Sequence, residues 1–183
     1  MDLYDLVVVG GGAAGFMTAV TAAENGVKRI IILEGSSKLM EKVRISGGGR
    51  CNVTNASWIP NELAENYPRG GIKLLESFNR FAAGDVFDWF EKRGLNLKIE
   101  ADNRVFPVSD SSLDVISCLK KNAITKGVEI STKFFVKEIL KTSDNLFNIL
   151  NSEKNLIIAK NIILSTGGHP SGHKLAKNFG HSI

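Results

Sequence analysis

The run Leu6-Val7-Val8-Val9 leads straight into Gly10-Gly11-Gly12-Ala13-Ala14-Gly15, and few backbone paths accommodate both. Four apolar, mostly β-branched residues without alternation fit a strand buried on both faces of a parallel sheet. The glycines then satisfy G-x-G-x-x-G between a strand and a helix, the setting in which this spacing acquires a mechanism. The first, Gly10, permits a tight turn. Gly12 lets backbone approach a diphosphate without a Cβ in the way, and Gly15 lets the helix pack closely on its strand. Phosphates would face the free N–H groups of the helix beginning at Ala13 and Ala14. Ala13, Phe16, Met17, Val20 and Ala23 form one apolar helical stripe, and Gly26 suits its left-handed stop. A second buried strand from Arg29 to Leu33 completes a βαβ unit of about 30 residues. Glu34 closes that strand about 20 residues beyond the glycines, where a carboxylate accepts hydrogen bonds from ribose hydroxyls and repels a 2′-phosphate. An adenine dinucleotide other than NADP is expected, with NAD and FAD equal on this motif alone.

The rest of the chain breaks the regular βαβ repeat. From Gly35 to Gly71 there is no periodicity, and Ser46-Gly47-Gly48-Gly49-Arg50 lies inside the stretch; loops this long in a compact domain usually carry function. Helical spacing returns at Leu74–Ala82. A second helix follows with Asp85 as its cap and Val86, Trp89 and Phe90 facing inward, and a third starts at Ser112 and stops at Gly127. Val128–Ser131 reads as a strand. Phe134–Leu140, Leu146–Leu150 and Leu156–Ala159 read as a three-stranded antiparallel meander outside the main sheet. Ile162-Ile163-Leu164-Ser165-Thr166 then forms another buried strand opening into Gly167-Gly168, with a short helix ending at Gly180. The expected fold is α/β, one domain over residues 1–183.

The chain of 183 residues is 43% hydrophobic and carries a net charge of +4, the profile of a globular protein without the concentrated basic face of a dedicated nucleic-acid binder. Nucleic acid is therefore not an expected partner. Cys51 and Cys118 have no CxxC partner, and no metal site is expected from cysteine or histidine spacing. No window nears the ~20 apolar residues that span a bilayer. Asp2 and Asp5 stand where a secretory leader needs a basic start, so the expected compartment is the cytoplasm.

Four segments together carry a resemblance: Val7 to Gly15, Ser46 to Asn55 (SGGGRCNVTN), Arg104 to Asp110 (RVFPVSD), and Ser165-Thr166-Gly167-Gly168 with Gly180-His181 beyond. The chain resembles the NAD(P)/FAD-dependent oxidoreductases of the aminoacetone oxidase-like type, a family that includes bacterial dehydro-bile-acid reductases. The resemblance implies a Rossmann-like, glutathione-reductase-like FAD-binding domain with the diphosphate on Gly10–Gly15 and the adenosine ribose on Glu34. It also implies flavin or ribityl contacts from Gly48, Gly49, Arg50, Cys51 and Asn52, adenine read at Val136, and Thr166 and Gly167 against the dinucleotide. Lys42 matches a basic position of the family's loop, although its neighbours Met40, Glu41 and Arg44 differ from the family pattern. After Gly168 the run His169-Pro170-Ser171-Gly172 is shorter than the family's serine- and glycine-rich stretch.

FAD is thus the expected cofactor, with NAD(P)H as electron donor and a small-molecule substrate that the sequence leaves unspecified. No residue stands out as a general acid or base. Disulfide reductases carry a cysteine pair after a comparable loop; here Ala56 occupies the second place, so Cys51 reads as a packing residue, reactive only if Arg50 stabilises its thiolate. The resemblance covers less than half of a typical family member, and a substrate domain and a C-terminal segment that completes the flavin site are missing from the match. A chain lacking them is expected to hold flavin weakly and turn over little, unless a partner chain supplies the rest. Two other readings remain open: an NAD-binding module without flavin, and a non-catalytic remnant or flavin-dependent RNA-modifying relative.

Overall fold

A computed structural model describes residues 3–183. Its first elements are β1 (Leu3–Tyr4), β2 (Leu6–Val9), α1 (Ala13–Glu24), β3 (Ile30–Leu33), α2 (Glu41–Ile45), β4 (Thr54–Asn55), α3 (Pro60–Glu65), α4 (Gly71–Phe78) and α5 (Ala83–Glu91). There follow β5 (Leu97–Ile99), β6 (Arg104–Pro107), α6 (Ser112–Thr125), β7 (Glu129–Ser131), β8 (Val136–Lys141), β9 (Phe147–Asn151), β10 (Leu156–Ala159), β11 (Ile162–Leu164) and α7 (Pro170–Asn178). The chain divides into two compact units, one formed by residues 1–41 and 119–183 and the other by residues 42–118.

The first unit is built on a parallel sheet of order β11-β2-β3-β7. Val7 of β2 pairs with Ile31 on one side and Ile162 on the other, and every side chain of β2 and β3 is buried. That burial on both faces is what the unbroken apolar runs foretold. On α1 the buried residues are Gly15, Phe16, Ala19 and Val20. The expected stripe is therefore rotated: Ala13 is exposed and Met17 only half-buried. Close packing at Gly15, which has no side chain to register as apolar, turns the helix so that its own flank faces the strand.

The meander is present as β8-β9-β10, paired antiparallel in a sheet of its own. β1 extends it by pairing parallel to β10, an addition too short for any periodic signal. Tyr4, Ile139, Ile149 and Ala159 from this sheet join Val7, Val9, Ile31 and Leu33 in one buried cluster. The expected α/β fold with a parallel sheet and a three-stranded meander is borne out.

In the second unit, the stretch without periodicity contains α2, a 3-10 turn at Ser46–Gly49, β4 and α3. Helices of five or six residues complete fewer than two turns, so their apolar spacing never repeats. β4, β6 and β5 form a small antiparallel sheet. Asp85 lies in the first turn of α5 rather than before it, and its carboxylate accepts the Ala82 N–H at 2.8 Å. The cap expected at Ser112 falls to Ser111, whose hydroxyl accepts the Leu113 N–H at 3.3 Å, while the Ser112 hydroxyl donates to the Arg44 carbonyl at 2.8 Å.

The rotated face of α1 gives a direct test in urea unfolding. Phe16 is fully buried, so Phe16→Ala is expected to cost about 3–5 kcal/mol, and Met17→Ala less than half of that. Equal losses would show that α1 packs on the face read from the sequence instead.

Candidate functional site

The site in the first unit begins where β2 ends. Gly10 turns with φ of +114°, and a Cβ there would lie 2.5 Å from the Ser165 carbonyl oxygen. A Cβ on Gly15 would lie 2.0 Å from the Gly10 carbonyl oxygen. Only glycine at both positions allows β2, α1 and the end of β11 to meet. The Ser165 hydroxyl, 3.0 Å from the carbonyl oxygens of both Val9 and Gly10, ties that junction. Around Gly12 a Cβ would meet nothing, so the backbone there borders open space. Gly12 precedes α1 without any side-chain cap, and Ala13 and Ala14 are exposed. The first-turn N–H groups of a 12-residue helix are thus left for an anion.

Glu34 is held rather than loose. One carboxylate oxygen accepts the Gly11 N–H at 2.9 Å and the other accepts the Ser36 N–H at 2.8 Å. A carboxylate has about four acceptor sites, so two remain for hydroxyl donors after both protein bonds are made.

Beside it lies a cleft of about 370 Å³, within the usual range of small-molecule sites, whose walls include Val9, Leu33, Glu34, Val136, Thr166 and Leu175. Val136 contributes a buried side chain at the start of β8. Thr166 sits against α7, where a Cβ on Gly172 would lie 1.8 Å from its hydroxyl oxygen. Gly167 follows in the left-handed region at φ +60°. Sequence reasoning did not assign Gly35, Ser36, Phe134, Phe135, His169 and Ser171 to this cleft, all of which line it. The doublet Phe134-Phe135 before Val136 was the available signal.

The second unit holds the other six assigned residues. Lys42 is exposed on α2. Gly47, Gly48 and Gly49 are all left-handed, at φ of 56°, 69° and 88°. A Cβ on Gly47 would come within 2.9 Å of both the Asn52 nitrogen and the Phe106 ring, whereas Gly48 and Gly49 face open space. The turn is anchored at one glycine and presents bare backbone at two. Arg50 stacks over Phe106 at 3.9 Å from its centroid and donates to Glu100 at 2.6 Å and Asp110 at 3.4 Å. The Glu100 bond leads in holding the guanidinium proton more firmly than usual. Asp110 also bonds Lys98, which with Arg50 holds its carboxyl below the ordinary value. Asn52 accepts the Val105 N–H at 3.2 Å.

Cys51 is buried, with φ of +63°. Burial pushes its thiol up, and a hydrogen bond with Ser46 offsets only part of that. Arg50, committed to two carboxylates, does not lower it. The condition for a reactive thiolate is not met, and Cys51 sits as the buried packing residue that the sequence suggested. In a Cys118→Ala background at about pH 8, below the ~8.5 of a free cysteine, Ellman's reagent should label the folded chain at least about tenfold more slowly than the urea-unfolded chain. Equal rates would mean an exposed, activated thiolate.

Among the described residues no helix is long and apolar enough to cross a membrane. The family model for the HI0933-like protein Rossmann domain matches residues 4–183. The chain is 29% identical to the 3-dehydro-bile acid delta(4,6)-reductase of Clostridium scindens, over 96% of its own length and 44% of that protein's. It is 25% identical to the ribosomal RNA dihydrouridine synthase of Escherichia coli, over 100% of its length and 46% of that protein's. It therefore spans less than half the length of these curated relatives. Among solved structures, Thermovibrio ammonificans THI4 superposes with a TM-score of 0.66 at 11% identity, covering 96% of this chain and 62% of that one. The likeness to flavin oxidoreductases carried by the four sequence segments is borne out. The chain belongs to the family of the HI0933-like protein Rossmann domain.

Proposed function

We propose that the chain binds FAD and is the FAD-binding part of a flavin-dependent oxidoreductase supplied with electrons by a reduced nicotinamide. The observation that carries this reading is the Glu34 carboxylate, fixed by two backbone N–H groups at the rim of a cleft that also includes Gly10. The residues of the first unit fit the adenosine diphosphate end. Gly12, Ala13 and Ala14 would receive the diphosphate on free N–H groups, Glu34 would accept the ribose hydroxyls, and Val136 would border the adenine. The left-handed turn with bare backbone at Gly48 and Gly49 supports flavin over a nicotinamide-only ligand, because a simple NAD domain has no use for a second glycine turn. Bound FAD would supply the hydride-accepting chemistry that these side chains lack; the protein's part is to bind, orient and exclude water.

Two relatives named for a bile acid and for ribosomal RNA both match nearly all of this chain. What they share is thus the nucleotide-holding part, and substrate choice belongs to segments outside the match. β11 pairs only with β2 among the described residues, and Ile163 and Leu164 are 40% and 36% exposed. Its free side is where a further strand, from more of the same protein or from a partner chain, would pair. The two unlinked cysteines suit a reducing cytoplasm.

Calorimetric titration tests the reading. FAD and ADP are expected to compete for one site on the chain, and Glu34→Ala to weaken FAD by about tenfold or more, as hydrogen bonds to a charged group are worth about 1.5–3 kcal/mol. Gly12→Ala should keep the melting temperature yet weaken FAD, since a Cβ there meets no protein atom. NAD saturation with no binding of FAD would make the chain a nicotinamide module instead.

A further inference from the structure

Phe135 stands apart from its neighbours on the cleft wall. Phe134 and Val136 are 9% and 5% exposed, whereas Phe135 is 44% exposed. A single exposed aromatic is ordinary on a protein surface, but this one is held in place from two sides. A Cβ on Gly35 would lie 2.9 Å from its Cδ2, so the ring rests on bare backbone at Gly35. His169, from the connection between β11 and α7, meets it edge to face, with centroids 6.3 Å apart and planes at 74°. His169 is itself fixed: Nδ1 accepts the Ser171 N–H at 3.2 Å as the cap of α7 and lies 2.7 Å from the Ser171 hydroxyl.

We propose that Phe135, braced by Gly35 and His169, is the base-stacking platform of this cleft and selects a nucleotide with a planar base at that end. The proposal rests on the adenine-nucleotide reading above and adds the residues that would recognise the base. The ring shares the cleft lining with the apolar side chains of Val9, Leu33, Val136 and Leu175, so a base laid on it would also have apolar surface within the same cleft. The geometry also sets the spacing between sugar and base. Phe134 donates its N–H to the Glu34 carbonyl at 2.9 Å, and Lys133 donates to the Ser36 carbonyl at 2.9 Å. These bonds fasten the residue that would accept ribose hydroxyls to the segment that carries the ring. A platform that does not move on binding loses little entropy when the base arrives. Gly35 is a positioning residue: a side chain there would displace the ring without touching the nucleotide.

The test uses the full chain, with ADP, FAD and FMN as ligands; FMN lacks the adenosine. Phe135→Ala should weaken ADP and FAD by about tenfold, the order expected for loss of one base–aromatic stack. It should also abolish the ultraviolet hypochromism of bound adenine and leave any FMN binding unchanged. Phe135→Leu, which keeps apolar bulk and protects the fold, should also lose the hypochromism, and Phe135→Trp should restore it. Gly35→Ala should mimic Phe135→Ala. Wild-type binding with unchanged affinity and hypochromism in Phe135→Ala overturns the platform and leaves the FAD reading standing. A wild-type chain that binds neither ADP nor FAD overturns the FAD reading itself, and the platform with it.

Discussion

The fold of the first unit depends on one close contact between backbones. The Gly10 carbonyl oxygen occupies the space where a Gly15 side chain would begin, and the Ser165 carbonyl occupies the space beside Gly10. Strand β2, helix α1 and the end of β11 converge there with no side chain between them. Interiors pack at near-crystalline density, so a methyl group at either glycine has nowhere to go but through a shift of whole elements. The same contact points the open first turn of α1 at the space beyond the strand ends, where α/β proteins of this kind bind ligands. Packing and binding are set by one choice of residues.

Glu34 extends that economy. Its carboxylate bonds the backbone of the glycine turn on one side and of the Ser36 loop on the other, and charge-assisted bonds of this kind are about twice as strong as neutral ones. A ribose that reached it would add to bonds already formed rather than compete for them. An uncharged substitute would therefore loosen the glycine turn as well as weaken sugar binding, and the two effects would arrive together.

What could be read from the sequence follows the length over which each signal acts. The parallel sheet was legible because Leu6–Val9 and Ile30–Leu33 are unbroken apolar runs, and the glycines could be assigned because each spacing has a steric cause. The meander was legible because three short strand-forming segments are separated by the turn clusters Ser143-Asp144-Asn145 and Ser152-Glu153-Lys154-Asn155. β1, β4, β5 and β6 were not, since strands of two to four residues without an unbroken apolar run carry too little signal to stand out. Around the cleft, Gly10, Gly12, Gly15 and Glu34 were assigned by motif. Phe135, Gly35 and His169 were missed because each becomes part of a wall only through contacts between segments distant in the chain. The ion pairs of Arg50 could not be read for the same reason: Glu100 and Asp110, which occupy its guanidinium, lie 50 and 60 residues away.

The cleft has a further consequence for how this unit holds itself together. Beside the β2–α1 turn at Val9 and Gly10, its walls come from three further connections, at residues 34–36, 134–136 and 166–171. The first two are fastened by the Phe134 and Lys133 hydrogen bonds, while the third joins them through the Phe135 and His169 rings and through Leu175 in the shared core. That third connection follows β11, an edge strand of the parallel sheet, as the second follows β7 at the opposite edge. A nucleotide filling the cleft would bridge all three, and a ligand at a hundred times its dissociation constant stabilises a fold by about 2.7 kcal/mol.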